Sequence, residues 1–138
     1  MNYQKMLIST LAGAVVFYFA GFLIWGIALS GIQESHSVNY DGLAREAPDM
    51  VAMALSMIAS AFLFAYIFDR WAGIKTFVTG AKAGALLAVF IGLGHGLLMH
   101  SMMNLIDYTV IATDVVGNAI WGALGGGVIG YLLGRGED

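Results

Sequence analysis

The chain has 138 residues, 59% of them hydrophobic and 11% charged, with a mean hydropathy of +0.82. That is more apolar surface than a water-soluble fold of one domain's length can bury. Six Lys and Arg against nine Asp and Glu leave a net charge of −3, so there is no basic face for nucleic acid. With no cysteine, there is no disulfide framework, thiolate metal site or thiol nucleophile.

Charged residues divide the sequence into four uncharged runs, 11–29, 50–68, 83–106 and 115–134. At 1.5 Å per residue each run is long enough to cross a hydrocarbon core of roughly 30 Å. None alternates with period 2, and backbone groups in lipid must be satisfied internally, so helices are the remaining choice. The spacing predicts an all-α integral membrane protein: one membrane domain, folded as an antiparallel bundle of four transmembrane helices at about 5–31, 48–69, 78–105 and 112–134.

The first run exceeds the 7–15 residues of a signal-peptide core and reads as a retained helix. It leads into the polar stretch "SGIQESHSVNYDGLAREAPD", where Pro48 suits the first turn of helix 2 and Asp49 its positive end. Glu34, His36, Asp41 and Glu46 in this stretch match no calcium-loop spacing and read as solvated. "DRWAGIKTFVTGAK" joins helices 2 and 3, and "DYTVIATD" joins helices 3 and 4. Lys5, Arg70, Lys75, Lys82 and Arg135 fall on one side of this topology and Arg45 alone on the other. By the positive-inside rule both termini face the cytoplasm, while Asp107 and Asp114 face outward. Trp25, Trp71 and Tyr108 sit near the expected interfaces.

Helix 3 carries the most suggestive polar residues, in "FIGLGHGLLMHSMMNLID". An ionisable side chain at membrane depth is a candidate for function. His95 and His100 lie about 140° apart around the helix, so they head two stripes: His95 with Met99 and Met102, and His100 with Gly96, Met103, Asn104 and Asp107. Met50, Met53 and Met57 add a methionine face on helix 2. Imidazole with thioethers is the ligand set copper(I) prefers, and His or Met can be axial to haem iron. The blander reading, which we prefer, makes the methionines gap-fillers and has His95 hydrogen-bond a partner such as Asn118 on helix 4. A polar path through Asp107, His100, His95 and Asn118, extended by Ser56 and Ser60, is the alternative; it ends near mid-membrane because no acid or lysine continues it. No nucleophile elbow, phosphate loop, zinc-protease signature or dinucleotide fingerprint is present, so catalysis has no visible seat.

Glycines form the other pattern. Gly122, Gly126, Gly130 and Gly134 make one stripe on helix 4, with Gly125 and Gly127 on other faces, and helix 3 carries the pairs Gly80 and Gly84, then Gly92 and Gly96. Association in lipid relies on close packing, which small residues permit. Two uses stay open: packing within one bundle, against helix 1 or helix 3, or pairing with another copy or a larger membrane protein.

Five stretches, "LAGAVVFYFAGFLIWG", "EAPDM", "AYIFDRWAGIKTFVTGAKAGALLAVFIGLG", "MNLIDYT" and "GGGVIGYLLG", together resemble a group of small four-helix bacterial inner-membrane proteins common in Bacteroidetes. The resemblance implies the fold and the membrane but no reaction, ligand or site. The expectation is a structural or accessory membrane component without enzymatic activity. It would be a homo-oligomer or a subunit of a larger membrane complex, associating through glycine-rich helix faces. A small oligomeric transporter or channel lined by His95 and Asn118 comes second, and a copper- or haem-binding protein using His95 and His100 third.

Overall fold

The computed structural model describes residues 2–136. Helix α1 spans Tyr3–Gly21, its first turn capped by the Asn2 side chain, which accepts from Lys5 N–H at 3.1 Å. The helix widens without a break into a π-helical segment, Phe22–Ala28, closed by Leu29 N–H donating to Ile24 C=O at 2.7 Å. A short helix, α2, follows at Ser30–His36. Helix α3, Met50–Tyr66, is capped by Asp49, which accepts from Ala52 N–H at 3.1 Å. Asp49 is thus the cap itself, and Pro48 lies outside the helix. A second π-helical segment, Ile67–Ala72, extends α3 until Gly73 ends it at φ +63°, a backbone region that a residue with a Cβ enters only with strain.

Helix α4 covers Phe77–Met102 behind a Thr76 cap, and α5 covers Tyr108–Gly134 behind an Asp107 cap. Helix α5 therefore starts earlier than the 112 expected from sequence, and Thr109–Asp114 is helical rather than a connection. The reason is local: the Asp107 carboxylate satisfies the free Val110 N–H at 3.1 Å, which starts the helix before the apolar run begins.

The α1, α3, α4 and α5 helices, counting the π-helical extensions, are long and apolar enough to cross a bilayer. Large side chains such as Val51 (71%) and Phe90 (63%) are exposed along their lengths, as lipid-facing residues are. The fold is all-α, and consecutive spans run antiparallel. One end carries the termini and the α3–α4 connection; the other, the loop end, carries α2 and the 103–107 turn. There Ser37 pairs with Ile106 in an antiparallel bridge, and Val38 N–H donates to Leu105 C=O at 2.8 Å.

Packing centres on α5. Its glycine stripe lies backbone to backbone on α4: a Cβ on Gly126 would come within 2.9 Å of Gly84 Cα, and one on Gly130 within 3.0 Å of Gly80 Cα. Gly134 abuts the Lys75 backbone, so all four stripe glycines face their own chain. Gly125 clears room for the Phe17 ring of α1, where a Cβ would lie 2.5 Å from Cδ1, and Gly127 does the same for Phe77 at 2.7 Å. The core is aromatic. Phe17 is fully buried, stacks on Trp121 with centroids 3.9 Å apart and meets Phe64 edge-on at 5.2 Å. Helix α3 packs on α1, α1 on α5 and α5 on α4, but α3 and α4 do not pack along their lengths.

Candidate functional site

Because α3 and α4 stay apart, a cleft of about 280 Å³ opens between them with α5 as its floor, lined by Ser60, Ala88, Gly92, His95, Asn118 and Trp121 among others. Gly92 makes the space for Asn118: a Cβ there would sit 2.9 Å from the amide carbon. The structure thus brings together three residues chosen from sequence, His95, Asn118 and Ser60. The hydrogen bond expected between His95 and Asn118 is not made, and their side chains have no hydrogen-bond partner among the described residues. The exposed His95 ring and the half-buried Asn118 amide lie within helices long and apolar enough to cross a bilayer.

His100 belongs elsewhere. Its Nδ1 lies 2.8 Å from Ile106 C=O, and since a carbonyl only accepts, Nδ1 carries the proton and donates. The ring rests 4.4 Å from that of Tyr108, so His100 fastens the turn between α4 and α5. Asp107 caps α5 and pairs with His36 Nδ1 at 2.7 Å. Asn104 is exposed beside a shallow hollow with Tyr40 and Asp41, while Met99 is half-buried and Met102 is 73% exposed. The path from Asp107 through His100 to His95 is therefore interrupted, because His100 turns to a backbone carbonyl and Asp107 to α2. His95 and His100 serve different surroundings and do not converge on one ligand.

Asp107 is outside the spans and titrates against opposing effects. Desolvation raises its pKa, but the Val110 N–H, the His36 hydrogen bond and charge, and the Thr109 N–H outweigh it and hold the carboxyl below its ordinary range.

Sequence reasoning missed two features. The first is a polar knot at the loop end: Asp114 Oδ1 accepts from Trp25 Nε1–H at 2.9 Å and from Gln33 Nε2–H at 2.5 Å, tying the π-helical segment and α2 to α5. Placing Asp114 in a loop hid it, although an Asp within a turn of an apolar run was a readable signal. The second is a cavity of about 510 Å³ between α1 and α3, reached by Trp25, Met50, Met53, Met57, Asn118 and Trp121. The methionine face of α3 lines it, and Asn118 with Trp121 form the wall it shares with the α3–α4 cleft. Ser9 and Thr10 on α1 are buried with hydroxyls that find no hydrogen-bond partner among the described residues.

No family model, curated protein or solved structure matches this chain.

Proposed function

We propose that the chain is an accessory component of a bacterial inner membrane, without chemistry of its own. In this reading both termini are cytoplasmic, and it associates with a further transmembrane helix through the α3–α4 cleft. The observation that carries this reading is the cleft itself: a histidine, an asparagine and a serine line it without hydrogen-bond partners among the described residues, in a span where uncompensated polar groups are costly. Helices associate in lipid through close packing and interhelical hydrogen bonds, and a helix entering the cleft would supply both. The glycine faces are poor candidates for this contact. Gly80, Gly84, Gly122, Gly126, Gly130 and Gly134 lie against backbone of the same chain, Asn118 occupies the space a Cβ on Gly92 would take, and a Cβ on Gly96 would lie 3.6 Å from Ile111. The partner helix belongs to a second copy or to a subunit of a larger complex. The charge distribution, with five of the six Lys and Arg at the end holding the termini, supports the orientation.

The absence of native cysteine makes the test clean. Ile91→Cys in the cleft should form oxidative or bifunctional adducts in intact membranes, either a dimer of the chain or a reproducible heavier species. Leu7→Cys on the exposed face of α1 should not. Adding His95→Ala and Asn118→Ala should lower the Ile91 adduct at least five-fold. Monomer from every position would remove the proposal.

A small transporter or channel is the second reading, favoured by one observation: two cavities that flank α3 share Asn118 and Trp121 of α5 in their linings. Solute flux into liposomes at background level, equal for the native chain and His95→Ala, would discard it.

A further inference from the structure

The cavity between α1 and α3 is part of a longer groove. It shares Tyr18 and Met57 with a second hollow of about 280 Å³ that continues toward Leu11 and Ile58. Together they form an apolar track from Gly26 to Leu11 on α1 and from Met50 to Ile58 on α3, about 22 Å and about 12 Å at 1.5 Å per residue. The rim is open sideways, since Phe22 is 58% and Met50 52% exposed. In a chain whose helices cross a bilayer, that opening faces hydrocarbon.

We propose that this groove holds one acyl chain of a membrane lipid from the leaflet at the loop end. Its length fits, because half of a hydrocarbon core of roughly 30 Å is about 15 Å, and the track begins where α3 begins and runs inward. Its chemistry fits too. The two indoles that line it have their N–H groups engaged away from the groove, Trp25 on Asp114 at 2.9 Å and Trp121 on Phe17 C=O at 3.0 Å, so they offer carbon faces. The Asn118 amide lies across Gly92, on the side of the other cleft. A fixed polar ligand would find few partners here, whereas a flexible chain suits Met50, Met53 and Met57, whose thioether side chains adapt to irregular shapes. The width has a backbone cause. The π-helical segment Phe22–Ala28 swells α1 at this level, and Gly21 withholds a side chain where a Cβ would make only ordinary contact with Trp121, at 3.6 Å. At about 510 Å³, the upper cavity falls within the size range of ligand pockets. The proposal rests on the membrane-spanning reading of the helices and is independent of the partner helix above.

The test uses the intrinsic fluorescence of the full chain in phosphatidylcholine vesicles carrying bromine at carbons 9 and 10 of one acyl chain. Trp71→Phe, at a position 74% exposed, leaves Trp25 and Trp121 as the emitters. Bromolipid should reduce their emission at least two-fold relative to unbrominated vesicles. Gly21→Leu and Met53→Phe fill the groove from different helices, and each should restore at least half of the lost emission. Gly94→Leu, at a position with no neighbour within 4 Å, should restore none. If Gly21→Leu disturbs helicity by circular dichroism, Met53→Phe decides. Quenching that neither filling substitution relieves would overturn the proposal, since it would mean lipid reaches the indoles from the general annulus or from the α3–α4 cleft. Absence of quenching would overturn it equally.

Discussion

Asp107 does two things with one carboxylate: it caps α5 through Val110 N–H and holds His36 of α2 at 2.7 Å. Its pKa is depressed in the fold, so its contribution is present above the ordinary carboxylate range and is lost as pH falls through the lowered folded value. Thermal unfolding in detergent should therefore show stability decreasing below about pH 4, the ordinary Asp range. Asp107→Asn, which keeps a good cap but removes the charge, should flatten that decline. A profile unchanged by the substitution would mean the contacts do not bear on stability. Both side chains are partly exposed, 42% and 47%, so screening by salt should shrink the effect. From the sequence Asp107 was legible as a polar residue at the end of helix 3. Its two roles were not, because His36 lies 71 residues away and only the folded chain brings it near.

Between elements, the α4–α5 contact turns on missing methyl groups. Gly84 and Gly126 each lie where a Cβ would press on the facing backbone, and backbone cannot rotate aside as a side chain can. Gly84→Ala should accordingly cost about 1–3 kcal/mol through overpacking. Gly94→Ala, on the same helix with open space around it, should be neutral or slightly stabilising through its better helix propensity. Steric-trapping or denaturant unfolding in bicelles would measure the contrast, and equal effects at the two sites would refute this account of the interface. The four-residue spacing of Gly122, Gly126, Gly130 and Gly134 was readable as a stripe, but a stripe names no partner. The choice fell to α4 because its own Gly80 and Gly84 run antiparallel to it at matching heights, a coincidence of depth that one helix's periodicity does not contain.

For the whole molecule, four spans joined by polar connections follow from hydropathy alone, and the proposed orientation rests on charge. A reporter fused at the C-terminus that works only in the cytoplasm should be active; activity solely from a periplasmic reporter would reverse the topology. The sequence by itself determined that the chain is helical and that four segments are long and apolar enough for a bilayer. These are properties of each segment, fixed by its own apolar length and by the requirement that backbone groups in lipid bond within the segment. Only the tertiary structure decided that the glycines are used inside the chain and that α3 and α4 part. It also decided that His95 and Asn118 line one cleft without the hydrogen bond expected between them, and that a methionine-lined groove opens along α1. In lipid there is little hydrophobic drive to select neighbours, so shape does the selecting. Shape depends on which small residue meets which ring at the same depth, as Gly125 meets Phe17, and that matching exists only once the helices are side by side.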